Sequence, residues 1–396
     1  MAQKGQRVAV VGGGIGGLTL AIALRRAGVD VVVFERTAEL REVGAAVAVA
    51  ANSTRLLARL GLADELAAVS TVPSELVFRD GMNGQLLVSH PIGRDDAYRT
   101  RYGSPLYGLH RGQLQRILGT ALGAEPLRLG REVTGLHETP DEIVVQCADG
   151  AEFAADIVVG ADGVHSMVRT WITDEQPPVY TRTSGFRGLV PTEALPSLPD
   201  VRALQFWVGA DAHLLHYSIN DGSLVNFLAV REGPETWPAG TGPLETEPGT
   251  LAAMFKGWHP AVHEMISAVP QSVCWPLYSQ PPLRRWSRGR VVLIGDAAHA
   301  MLPHHGQGAN QAIEDAIVLA DCLTGAPGGE HAAAFDRYAR LRRARTRKIQ
   351  RASLATSPLL HVPAGPIATR RDANAARFPE LFDWIHAYDA AAVGAV

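Results

Sequence analysis

Hydrophobic positions fall in blocks along this chain. Val8, Ala9, Val10 and Val11 form an uncharged, β-branched-rich run, the pattern of a strand buried on both faces. A glycine run, 12–17, follows, and the apolar positions of 18–27 then predict a helix closed by Gly28. Residues 29–34 read as a second strand, ending at Glu35. Two later runs repeat the strand-and-turn pattern: 155–160 enters Ala161-Asp162-Gly163 before a helix, and 291–294 stops at Gly295-Asp296. Between them the period changes. Leu204, Phe206 and Val208, then Leu214 and His216, then Leu224, Asn226 and Leu228 alternate at a spacing of two and predict antiparallel sheet. Residues 233–250, rich in Pro, Gly and Thr, read as a loop. Residues 330–354 place Phe335, Tyr338 and Leu341 at helical spacing, and the basic run 337–351 reads as the solvated face of that helix. There is no internal repeat.

The first block carries chemistry. Strand, G-x-G-x-x-G turn, helix, strand and terminal acid stand in the order that dinucleotide binding requires. The first glycine permits the tight turn, the second lets backbone approach a pyrophosphate, and the third lets helix pack on strand. These are Gly12, Gly14 and Gly17, with Gly16 beside the last. The helix N-terminus offers N–H groups to phosphate, and Glu35 would accept from adenosine ribose hydroxyls while repelling a 2′-phosphate. The motif alone does not separate FAD from NAD. The stretch 8–24 lacks charge, but its glycines suit a turn rather than a membrane span, and no other run is long and apolar enough. The chain reads as soluble and cytoplasmic.

Composition narrows the classes. The 396 residues carry 37 Lys and Arg against 40 Asp and Glu, a net charge of -3, which gives no electrostatic reason to expect nucleic acid as partner. Cys147, Cys274 and Cys322 are too few and scattered for a disulfide framework or a zinc site. His304 and His305 lack a third ligand at suitable spacing, so no metal is expected.

Taken together, the glycine motif with Glu35, the GADGVHSMVR stretch beginning at Gly160, and GDAAH at 295–299 followed by GQGANQAIEDA at 306–316 resemble the FAD-dependent aromatic hydroxylases, the class A flavoprotein monooxygenases. The resemblance covers roughly residues 5 to 350. The strand 205–209 with His213 and Tyr217, and the segment 382–389, resemble the salicylate-hydroxylase-like branch. The resemblance implies an α/β fold like that of para-hydroxybenzoate hydroxylase: a Rossmann-like FAD-binding domain with an inserted mixed-sheet substrate domain. The FAD-binding pieces would be 1–70, 105–180 and 285–396, and the substrate domain 71–104 and 181–284. No thioredoxin-like extension is expected.

The resemblance also implies roles. Asp296 would hold the ribityl or pyrophosphate end of FAD. Gly308, Ala309 and Asn310 would turn backbone N–H groups toward the isoalloxazine, where a helix N-terminus stabilises the negative charge of reduced flavin. Asp162 and Gly163 would lie near the pyrophosphate, Arg111 would reach it, and Val133 joins the cofactor set. Asp162 and Asp296 are also placed to cap the helices that follow them. Arg36 and Arg41 are either FAD contacts, Arg36 stacking on adenine, or surface charges.

The implied reaction uses NADH or NADPH to reduce the flavin, which meets O2 to give a C4a-hydroperoxide that oxygenates an activated, phenol-type ring. A phenolate is the better nucleophile, so a base is needed, and histidine suits the task. His213 is the first candidate, with Tyr217 on the same strand face. His216 points the other way. His305 and its neighbour His304 are further substrate contacts, and Arg187 is the remaining cation for a carboxylate. The segment 43–52 is small and apolar, with Ala51 where the family usually has proline, which points to a larger, less acidic aromatic. Alternatives stay open at this level: an epoxidase or oxygenase of a polycyclic secondary metabolite, an FAD-dependent reductase, or a non-catalytic nucleotide-binding module. The chain reads as a monomer or homodimer.

Overall fold

The structure is a computed structural model that describes residues 6–40, 46–269, 273–326 and 330–394. Two large sheets organise it. The first has six strands in the order Ser287–Arg288, Val291–Leu293, Ile157–Gly160, Arg7–Val11, Asp30–Glu35, Leu127–Leu129. Its pairs are parallel except at the short edge strand Ser287–Arg288. The central strands are largely buried, packed among the helices Ile15–Arg26 and Gly308–Thr324 and a three-stranded antiparallel sheet of Val133–Glu138, Ile143–Cys147 and Glu152–Ala155. The helix after the glycine turn starts at Ile15, within the glycine run, and ends at Arg26, with Gly28 in the left-handed region just beyond it.

The second sheet has eight strands. Its order is Leu244–Glu245, Val273–Ser279, Val179–Pro191, Leu224–Glu232, Ala212–Ile219, Leu204–Val208, Glu75–Asp80, Leu86–Pro91. The alternation over 204–232 is antiparallel sheet, with Phe206 opposite Leu215 and Val208 opposite His213. One face, bearing Trp207, Leu214 and Phe227, packs on the helices Thr250–Met254 and Pro260–Ser267. The other, bearing Phe206, Leu215 and Tyr217, turns inward toward a C-terminal run of helices, Ser357–His361, Pro366–Ala376 and Phe378–His386. The loop expected at 233–250 contains one short edge strand, Leu244–Glu245.

The long helix His331–Thr356 corrects one sequence expectation. Phe335 and Tyr338 are buried as the spacing required. The basic run is not uniformly solvated, because Arg342 is fully buried.

Candidate active site

The glycine turn and the strand ends beside it open on a cleft. Gly12 adopts φ +111°, and a Cβ there would stand 2.3 Å from the Ala161 carbonyl oxygen. A Cβ on Gly17 would stand 2.1 Å from the Gly12 oxygen. These two glycines let the turn fold tightly between strand and helix. Gly14 differs: a Cβ there would meet nothing within 4 Å, so its backbone faces open space, and Gly14 and Gly16 both line the cleft. Gln115 Nε2 donates to the Gly13 carbonyl at 2.8 Å, and Gly13 N–H donates to Glu35 Oε2 at 2.8 Å, which fixes the turn from two sides. Glu35 Oε1 accepts from Thr37 N–H at 2.9 Å.

Across the cleft lie Arg111, Gly163, Arg187, Asp296, Gly308 and Ala309. The first N–H groups of the Gly308–Thr324 helix have no intrahelical partner, which makes this helix start an acceptor-binding face. Gly163 adopts φ +81°, in the left-handed region. The Asp162 side chain is engaged within its own segment. Its carboxylate accepts from Ser166 Oγ at 2.5 Å and from Val168 N–H at 3.0 Å, so it caps the helix that follows. Burial raises its pKa, and these bonds oppose the rise. Arg36 is exposed, and its charge faces His165. Val133 does not line the cleft but begins a strand of a small antiparallel sheet. Arg41 lies outside the described residues.

A buried ionic network holds the loops that form the cleft floor. Arg342 donates to Glu314 Oε2 at 2.5 Å and to Asp315 Oδ1 at 2.7 Å. Arg345 donates to both Glu314 oxygens, at 2.7 and 2.8 Å. Asp315 Oδ2 accepts from Gly295 N–H at 2.9 Å and from His299 Nε2 at 2.5 Å. Burial alone would raise the Asp315 pKa, but the His299 and Arg342 charges win and hold it at about 2. Asn52 Nδ2 adds bonds to Glu314 (2.7 Å) and Gln307 (3.1 Å). Asn310 is used in the same way. Its side chain accepts from Ala50 N–H at 2.9 Å and donates to the Ala48 and Gly306 carbonyls at 3.0 and 2.7 Å. Asn310 therefore pins the strand Ala46–Val49 and the loop before the helix rather than lining the cleft.

Beside the cleft is a larger, mostly apolar cavity of about 700 Å³. Ala48, Leu215, Tyr217 and Gly306 line both spaces, so the two meet there. Phe78 and Phe206, stacked with centroids 5.0 Å apart, form one wall. Phe378, Phe382 and His386 from the C-terminal helices form another.

The histidines sort themselves around this cavity. His213 shares the inner sheet face with Tyr217 but lies behind the wall. Its Nδ1 sits 2.8 Å from His361 Nε2, and it does not line the cavity. Burial, then the neighbouring His304 and His361, pushes its pKa well down. His216 points to the other face, stacked on Trp207. His305 lines the cavity with Nε2 3.2 Å from Thr356 Oγ1 and its ring 4.5 Å from that of Phe382. His304 lines the cavity 6 % exposed, and neither of its ring nitrogens has a hydrogen-bond partner. Burial lowers its pKa to about 3, helped by His305 and His361, so it is neutral at ordinary pH. Of the two, His304 lines the cavity and His213 lies behind it. Among the described residues no group of three His, Cys, Asp or Glu could hold a metal ion.

Sequence reasoning missed the C-terminal wall. Arg371, Phe378, Phe382 and His386 enter the cavity from helices beyond residue 356, far in sequence from every motif. The resemblance of 382–389 to one family branch was the only available signal. Segment 43–52 holds no cation, but the cavity gains Arg101 and Arg371 from elsewhere.

Comparison with known proteins agrees with this geometry. A family model described as "FAD binding domain" matches residues 6–353. A 3-amino-4-hydroxybenzoate 2-monooxygenase of Streptomyces platensis is 40% identical over 390 residues, covering 98% of this chain and 97% of the relative. A 6-hydroxynicotinate 3-monooxygenase of Bordetella bronchiseptica is 35% identical, covering 88% and 90%. Among solved structures, a salicylate hydroxylase substrate complex superposes with a TM-score of 0.85 at 27% identity, over 100% of this chain and 98% of that one. Klebsiella pneumoniae HpxO, solved with FAD and uric acid, gives 0.84 at 26%, over 96% of each.

Proposed function

The chain belongs to the FAD-binding-domain family of FAD-dependent aromatic monooxygenases, and from that premise we propose that it hydroxylates a phenol whose hydroxyl lies against His304. FAD is the cofactor and NADH or NADPH the reductant. The observation that carries the reading of the site is His304. It is a buried imidazole with both nitrogens unpartnered, in the wall of an apolar cavity that meets the cofactor cleft.

The cleft suits FAD on grounds internal to the chain. An open backbone at Gly14, left-handed Gly163 and two helix N-termini facing one space are what a pyrophosphate and an anionic ring require. We assign Gly14, Gly16, Gly163, Arg111 and Asp296 to the pyrophosphate and ribityl region. Glu35 and Arg36 serve the adenosine end, and Gly308 and Ala309 the isoalloxazine. Gly12, Gly17, Asp162 and Asn310 position these groups instead of touching the cofactor. FAD bound there supplies reducing equivalents from NAD(P)H and an activated oxygen.

The chain's own residues do the rest. Apolar walls of Phe78, Phe206 and Phe382 hold the ring and exclude water. Neutral His304 accepts the hydrogen bond of the substrate hydroxyl at a ring nitrogen. As the hydroxyl ionises, the phenolate favours the imidazolium, so the His304 pKa rises toward the range a base needs. Tyr217, at the junction of the two spaces and near the charge of Arg187, orients the ring. The names of the relatives support a hydroxylated aromatic as substrate. The two sheets support a division into a cofactor domain (1–70, 105–180, 285–396) and a substrate domain (71–104, 181–284). Among the described residues no helix is long and apolar enough to cross a membrane, and the three cysteines are free and buried, which supports a reducing cytoplasm.

The test is NADH and NADPH oxidation in air by the FAD-loaded protein against a panel of hydroxylated aromatics. Acceleration by a phenol, with no acceleration by its O-methyl ether, is expected. Equal acceleration by both would overturn the role of the hydroxyl.

A further inference from the structure

The cavity has a second unpartnered polar group that the reading above leaves unused. Arg371, on the helix Pro366–Ala376, is 7 % exposed and lines the cavity wall. Its Nε donates to Asp372 Oδ1 at 2.7 Å, but its Nη1 is buried with no hydrogen-bond partner. An unmet guanidinium donor in an apolar wall is costly, because a buried charge without its full set of bonds loses its hydration and gains little back. Such a cost is sustained where a ligand supplies the missing acceptor.

The surroundings define that ligand. The guanidinium is planar and suits a carboxylate, which accepts two parallel bonds from it. The helix carrying it is tied to the substrate sheet, since His90 Nε2 on the strand Leu86–Pro91 bonds the Ala375 carbonyl at 2.7 Å. Arg371 is therefore held against the sheet instead of swinging in solvent. It lines the cavity but not the cofactor cleft, whereas Ala48, Tyr217 and Gly306 line both. A group bound at Arg371 consequently lies outside the stretch where the cavity and the cleft meet. The volume of about 700 Å³ exceeds the ~150 Å³ that encloses a benzene, so ring and acid group fit together.

We propose that Arg371 is a substrate-binding residue that holds the carboxylate of an aromatic hydroxy acid while the hydroxyl lies at His304. This rests on the hydroxylase reading above and names its substrate class. It also replaces the expectation of a less acidic substrate, which considered only segment 43–52 and Arg187.

The experiment titrates the FAD-loaded protein with 3-amino-4-hydroxybenzoate and with its neutral carboxamide, following flavin fluorescence. Turnover of each compound is then measured for the wild type, Arg371→Lys and Arg371→Met. The wild type should bind the acid at least about 10-fold more tightly than the carboxamide. Arg371→Met should raise KM for the acid roughly 10- to 100-fold, the loss of a charged hydrogen bond, with a smaller change in kcat. It should leave the carboxamide nearly unaffected, and Arg371→Lys should recover part of the loss. Equal wild-type affinity for acid and carboxamide overturns the proposal whatever the variants do. So does a Met variant that weakens both compounds alike, or neither. Absence of oxygenation with every hydroxylated aromatic would instead strike the parent reading, and the binding arm separates that result from a failure of Arg371.

Discussion

His304 and His213 stand close together, with ring centroids 5.2 Å apart, yet only His304 reaches the cavity. A strand's period of two shows which face a residue takes, and it put His213 and Tyr217 together. It does not show how deep a residue lies on that face, because depth depends on what packs over it. Here His304 and His361 cover His213. His304→Gln should therefore lower the coupled hydroxylation rate by about 10²-fold or more, as removal of a general base does, while flavin content stays normal. A kinetic comparison on one phenol checks this. The pH profile gives a second check. Burial keeps His304 neutral down to about pH 3 in the substrate-free protein. The dependence of kcat/KM on pH should thus lack a histidine ionisation between about pH 5.5 and 8, because that parameter reports the free enzyme. A limb near pH 6.5 would show a solvated histidine acting instead.

At the level of elements, the glycine turn was legible because its chemistry is local. Six residues specify the turn, and neighbouring strands supply the rest. Gly12→Ala should abolish FAD retention, since both φ +111° and the Ala161 oxygen at 2.3 Å forbid a Cβ. The absorbance of the purified variant would show it. The basic run 337–351 was not legible, because a helix wheel cannot reveal that Glu314 and Asp315 of another helix lie against it. Their carboxylates convert Arg342 from a surface charge into the tie between the helices His331–Thr356 and Gly308–Thr324, while Asp315 itself holds the Gly295 turn. Arg342→Met removes one member of a fully buried network and should cost about 3–5 kcal/mol, read from denaturant unfolding. The C-terminal helices were hidden for a similar reason. Their apolar faces report burial, but the partner, a cavity beside a sheet over a hundred residues earlier, is set by tertiary docking.

Across the whole molecule, several histidines are buried and neutral. Burial lowers His216 and His304 to about 3 and His305, His361 and His386 to about 4, from an ordinary value of 6.5. The unfolded chain binds protons at these groups below pH 6.5 while the folded chain refuses them. Stability must fall as pH drops from about 6.5 toward 4, by up to roughly 1.4 kcal/mol per histidine per pH unit. The dependence fades as pH rises through the ordinary value of 6.5 and is gone about one pH unit above it. Melting temperatures across pH 4.5–8, about that span, check this sign, and a flat profile would contradict the burial of the cluster. The antiparallel pairing over 204–232 was legible from the change of hydrophobic period along the chain, whereas the mixed second sheet beside the cofactor sheet was legible only through the family resemblance. The discontinuous assembly of each part was legible only through the family resemblance.

In the proposed reaction one oxygen atom passes from O2 to a hydroxylated ring held between the two sheets. The most direct measurement is the product mass when the FAD-loaded protein turns over 3-amino-4-hydroxybenzoate or a related phenol with NAD(P)H under ¹⁸O2. One ¹⁸O atom in the product and one equivalent of NAD(P)H consumed for it are expected. Oxidation of NAD(P)H with no ¹⁸O in any aromatic product, across the whole panel, would contradict it.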